Sequence, residues 1–83
     1  MHVTVRLFAR VRELAGTGEL VREIVPPATI EAVWRDLVSS IPALEPYTGS
    51  ISAARNYEYA RMSTQVADGD EIAFLPPVSG GAW

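Results

Sequence analysis

The chain has 83 residues, 48% of them apolar and 20% charged, and ten acidic against seven basic side chains give a formal net charge of −3. That length suits one domain of modest stability, because a chain this short buries only about 60–65% of its unfolded surface, and the composition is that of an ordered globular protein. The acidic balance disfavours nucleic-acid binding, which needs cations to neutralise phosphates.

No apolar run approaches the ~18 residues of a membrane span. The start, MHVTVRLFARVREL, alternates apolar and polar residues where a signal peptide would carry an apolar block, so the expected location is the cytoplasm. Cysteine is absent, which excludes disulfides, thiolate metal sites, a cysteine nucleophile and a side-chain persulfide. Lysine is absent too, and all seven basic residues are arginines. With no ε-amine, only the N-terminus accepts an acyl group as an amine, although the chain can still donate one.

Val3, Val5 and Leu7 alternate with Thr4, Arg6 and Phe8, the period of a half-buried strand, with Phe8 on the face away from the valines. A polar stretch through Arg10, Arg12 and Glu13 reaches a turn signal at Gly16-Thr17-Gly18. Leu20 to Val25 reads as a second strand, closed by Pro26-Pro27, and the two strands suggest a hairpin. Thr29 suits a helix N-cap. Ile30, Val33, Trp34, Leu37, Val38 and Ile41 then form one apolar helical stripe, which Pro42 ends. Leu44 to Gly49 reads as an irregular connection. Two short strands are expected around a turn at Asn56, then a turn at Asp68-Gly69-Asp70 and a last strand from Glu71 to Leu75. The order β-β-α-β-β-β is an α+β arrangement, a small mixed sheet on one main helix.

Few residues of the body offer chemistry. Asp68-Gly69-Asp70-Glu71 has too few oxygens for a calcium loop and reads as an acidic turn. His2 stands alone without metal-ligand spacing, and no metal site is expected. Trp34 belongs to the core. Ser39-Ser40 and Ser63-Thr64 lack a histidine partner for a serine triad. The tail differs. Pro76-Pro77 has fixed φ and no N–H donors, which makes a stiff spacer. Val78 and Ser79 lead from it to Gly80-Gly81, which lack side chains, so the segment can thread a narrow channel and place a carbonyl deep inside a partner. A frayed terminus is the alternative on spacing alone.

LFARVRELAG (Leu7–Gly16), AARNYEYA (Ala53–Ala60) and DGDEIAFLPPVSGG (Asp68–Gly81) closely resemble the MoaD-type small subunits of molybdopterin synthase, nearly end to end. The resemblance implies a ubiquitin-like β-grasp domain over residues 1–75 and a flexible Gly-Gly tail over 76–83. It implies that an E1-like adenylyltransferase activates the Gly81 carboxylate with ATP and that a sulfur donor converts the adenylate to a thiocarboxylate. The tail then enters the large synthase subunit, in an expected heterotetramer, and sulfur passes to cyclic pyranopterin monophosphate. No cofactor is expected on the chain itself, since ATP serves the activating enzyme. Phe8, Tyr59 and Leu75, with Pro76, Pro77 and Val78 beside them, match the family's apolar docking patch; for Tyr59 and Leu75 an ordinary core position is the alternative. Where many members carry an apolar residue before the asparagine, this chain has Arg55.

Typical carriers stop at Gly-Gly, whereas here Ala82-Trp83 follows Gly81. Removal of Ala82-Trp83 by a protease, loss of the carrier role, or a junction to another domain would each account for it. Carriers for thiamine, cysteine or tRNA thiolation stay open as related readings, as do a protein modifier and a non-catalytic β-grasp interaction module.

Overall fold

The structure is a computed structural model and describes residues 1–77. In chain order it contains β1 (His2–Leu7), α1 (Ala9–Ala15), β2 (Glu19–Glu23), α2 (Ile30–Ser40), a 3₁₀ helix (Pro42–Tyr47), β3 (Ser52–Arg55), β4 (Glu58–Ala60) and β5 (Glu71–Leu75). The strands form one sheet in the order β2-β1-β5-β3-β4. β1 and β5 pair in parallel at its centre, and the other neighbours are antiparallel.

The period-two pattern decides which side of the sheet is dry. Val3, Val5 and Leu7 of β1, Ile72 and Phe74 of β5 and Ala53 of β3 all point inward and are buried. Against them lies the stripe of α2, with Ile30, Val33, Trp34 and Leu37 buried. Thr29 caps this helix, its Oγ1 accepting from the Ala32 N–H at 3.3 Å. Trp34 packs on Phe74 with ring centroids 5.1 Å apart and donates its indole N–H to Thr48 Oγ1 at 3.0 Å. Trp34→Phe removes that bond and part of the core volume, and is expected to lower unfolding free energy by about 1–2 kcal/mol in a urea melt.

Three expectations need correction. The stretch through Arg10, Arg12 and Glu13 is the helix α1, so β1 and β2 pair antiparallel across a helix and not across a short glycine turn. Val11, Leu14 and Ala15 put a small apolar stripe against the core, and Gly16 ends the helix at φ 76°, its N–H returning to the Arg12 carbonyl at 3.0 Å. The second strand spans Glu19–Glu23 and stops short of Val25, which is 85% exposed. The stretch read as irregular, Leu44 to Gly49, lies largely in the 3₁₀ helix, whose Leu44 is fully buried.

Candidate functional site

With the inward positions taken by the core, every second residue points to the opposite face. No described helix covers that face. The strand register puts Tyr59, Ala54, Ala73 and Arg6 in one row across β4, β3, β5 and β1. Ala54 and Ala73 are small and leave a hollow. Phe8, Tyr57, Tyr59 and Leu75 stand around it, with Arg6 and Glu71 completing a cleft of about 240 Å³. Phe8 is 38% exposed, Tyr59 81% and Tyr57 84%, a grouping of aromatic surface of the kind that marks interaction sites.

The structure thus brings Phe8, Tyr59 and Leu75 together around the hollow, with Tyr59 exposed and Leu75 half-buried at the rim. β5 ends at Leu75, with Pro76 half-buried and Pro77 exposed, so the chain leaves the sheet beside the cleft. Val78, Gly80, Gly81 and Ala82 lie outside the described residues.

Charge surrounds the apolar hollow. The Arg6 guanidinium lies 3.6 Å from a Glu19 oxygen and 3.7 Å from a Glu71 oxygen. The Glu71 carboxylate, as acceptor and then as charge, holds the Tyr57 phenol above its ordinary range. Across the sheet edge, His2 Nε2 is 3.9 Å from Glu23 and largely exposed.

Beneath the cleft is a polar clamp that sequence reading did not find. The acidic turn is a turn, with Gly69 at φ 86°, yet Asp70 is only 7% exposed. Its carboxylate accepts from Arg55 Nε at 2.6 Å, the Ala67 N–H at 2.7 Å and Asn56 Nδ2 at 3.1 Å. Burial alone would push this carboxyl up, but those three hydrogen bonds together with the Arg55 charge outweigh it and hold it below the usual range. Asn56 also accepts from the Glu71 N–H at 2.9 Å, and Asp68 accepts from the His2 N–H at 2.7 Å. The clamp therefore ties the β3–β4 hairpin and the start of β1 to β5. Arg55 is consumed here, so the departure from an apolar residue at this position supports the cleft from below instead of roughening it. The signal was in the sequence: Asp70 shares the parity of Ile72 and Phe74 and so points inward with them. Among the described residues no group of three or more His, Cys, Asp or Glu stands where it would hold a metal ion.

Comparison with known proteins identifies the family. The ThiS family matches residues 5–81. The molybdopterin synthase sulfur carrier subunit of Arabidopsis thaliana is 37% identical over 81 residues, covering 98% of this chain and 84% of that protein. The crystal structure of SAMP1 from Haloferax volcanii superposes with a TM-score of 0.88 at 34% identity, covering 98% of this chain and all of that one. A complex of subunits 1 and 2 of the molybdopterin-converting factor from Helicobacter pylori contains a chain similar at a TM-score of 0.68 and 26% identity, covering 98% of this chain and 100% of that one. The match over residues 5–81 and the near end-to-end identity show that this chain belongs to the ThiS family, beside the sulfur carrier subunits of molybdopterin synthase.

Proposed function

We propose that this protein is the sulfur carrier subunit of a molybdopterin synthase, with Gly81 as the atom-bearing terminus and the aromatic cleft as the handle by which partners hold it. The observation that carries the reading is positional: Pro76-Pro77, which precede the Gly-Gly pair in sequence, leave β5 at the rim of the aromatic cleft. A partner whose pocket takes the tail therefore lies over Phe8, Tyr59 and Leu75, with Pro76 and Pro77 at its entrance. The similar chain in the Helicobacter pylori complex, bound to its second subunit, supports a large catalytic subunit as that partner here, in a heterotetramer.

The chemistry needs a free carboxylate on Gly81, so the Gly81–Ala82 peptide bond is cut first, by a processing protease that removes Ala82-Trp83. An E1-like adenylyltransferase then uses ATP: a Gly81 carboxylate oxygen attacks the α-phosphorus, pyrophosphate leaves, and an acyl-adenylate forms. Sulfide from a donor displaces AMP and leaves a thiocarboxylate. In the large subunit that sulfur bonds to a side-chain carbon of cyclic pyranopterin monophosphate, whose oxygen substituent leaves; water then attacks the acyl carbon, the acyl–sulfur bond breaks, and the carboxylate returns for the next round. Gly80 and Gly81 offer no side chain to obstruct either pocket. The chain holds no cofactor of its own, and the setting is the cytoplasm.

Reconstitution tests this. Protein ending at Gly81, supplied with the adenylyltransferase, ATP, a sulfide source, the large subunit and the precursor, is expected to yield molybdopterin, while protein ending at Trp83 yields none without the protease. Absence of product from the Gly81 form would overturn the reading. The likeness to SAMP1 of Haloferax volcanii favours a protein modifier as the second reading, which predicts Gly81-linked conjugates on lysines of other proteins.

A further inference from the structure

The hairpin that carries Tyr57 is built against local preference. Arg55 pairs with Glu58, leaving Asn56-Tyr57 as a two-residue loop with φ of 50° and 73°. Such a loop needs positive φ at both central residues, which asparagine tolerates and glycine suits at the second place. A tyrosine there is strained, because its Cβ crowds the backbone in the left-handed region. The other non-glycine residue with positive φ among the described residues is Ala9, at 51°, immediately after Phe8. Both departures thus sit beside the aromatic walls of the cleft, and strain of this kind persists where function holds it. The clamp through Asn56, Asp70 and Glu71 keeps the loop from relaxing.

The strain has a visible product. Tyr57 projects its ring from the sheet at 84% exposure and closes the Glu71 side of the cleft. The outward positions of β1, β2 and β5 carry the carboxylates of Glu19, Glu23 and Glu71 against the guanidinium of Arg6, an excess of negative charge. An occupant with an apolar tip and a neighbouring cation meets both features, the cation lying on a tyrosine face beside Glu71.

We propose that Tyr57 is a partner-reading residue, fixed by its strained turn as a wall of the cleft, and that it clasps an apolar side chain with an adjacent arginine or lysine on the large subunit that receives the tail. This rests on the docking role given to the cleft above. It adds Tyr57 to the three residues, Phe8, Tyr59 and Leu75, that the resemblance assigns, and it specifies the partner's contacting chemistry.

The test sets stability against affinity, using protein ending at Gly81 and the large subunit of the same synthase in titration calorimetry. Tyr57→Gly is expected to raise the unfolding midpoint by about 4 °C through relief of the turn and to weaken the complex by about tenfold or more. Tyr57→Phe keeps the ring and is expected to stay within about threefold of the parent, and rising salt is expected to weaken binding. Tyr57→Gly that binds like the parent, or whose midpoint falls, overturns the proposal. A loss seen with the adenylyltransferase and not with the large subunit overturns it as well. Phe8→Ala and Leu75→Ala separate the two levels. If they weaken the complex while Tyr57→Gly does not, only this inference fails; if the parent forms no complex, the docking role itself fails.

Discussion

Gly81→Val, in protein ending at that residue, is expected to cut sulfur transfer to the pterin by about 100-fold or more while leaving the melting curve unchanged. The reasoning is geometric. An activating enzyme and a large subunit must each bring one acyl carbon to a fixed point, and a misplacement of about 1 Å is enough to cost two orders of magnitude in rate. A branched side chain on the terminal residue shifts that carbon and widens a segment that otherwise has no side chain from Gly80 onward. The fold is indifferent, because its core is complete by Phe74. Single-turnover assays of the thiocarboxylate form with saturating large subunit would read the chemical step directly. A variant transferring sulfur at the parental rate would show that the partners do not depend on a bare terminus.

Asp70→Ala is expected to cost about 2 kcal/mol of folding free energy, since the loss of a buried carboxylate strips several donors of their acceptor, while Arg55, whose side chain is 36% exposed, regains water. Three donors lose their acceptor at once: Arg55 Nε, the Ala67 N–H and Asn56 Nδ2. For a domain of this size that is a large share of the total, about 4–12 kcal/mol by the usual per-residue range. Because Asn56 also fixes the hairpin, the same variant is expected to loosen the cleft and weaken docking. The pH dependence has a definite sign. Asp70 in the folded chain titrates below its ordinary value of 3.8, so between the two values the unfolded chain binds more protons and stability rises with pH. The contribution is complete above the ordinary value and is lost as pH falls through it to the lower folded one. Asp70→Asn is therefore expected to be less stable than the parent near neutrality and to lose less on acidification. Urea melts between about pH 6 and pH 2 would show the two curves converging; parallel curves would contradict the assignment.

Much of this molecule is legible in its residues, and the parts that are not share a cause. β1, α2 and β5 are readable because one face of each is buried, so Val3-Val5-Leu7, Ile30-Val33-Trp34-Leu37 and Ile72-Phe74 print their periods directly. α1 escapes because seven residues span only two turns, and its stripe of Val11, Leu14 and Ala15 is masked by Arg10 before it and by Arg12 and Glu13 within it. The hairpin at Asn56 is visible as a turn, but the left-handed geometry of Tyr57 contradicts the residue preference that would have announced it. Asp70 is obscured in the opposite way, since its place in an Asp-Gly-Asp turn suggests solvent while its parity with Ile72 points inward. At the candidate site, Phe8, Tyr59 and Leu75 line one cleft. Arg6 shares the face of Phe8 by the same alternation, while Tyr57 and Glu71 join them through turn geometry and strand register, which no local pattern encodes.

The most direct test of the carrier role is the intact mass of the protein purified from its own cells during synthesis of the cofactor. The account predicts a species ending at Gly81, with part of it heavier by the replacement of one oxygen by sulfur. Protein that retains Ala82-Trp83 as its sole form under those conditions would contradict it.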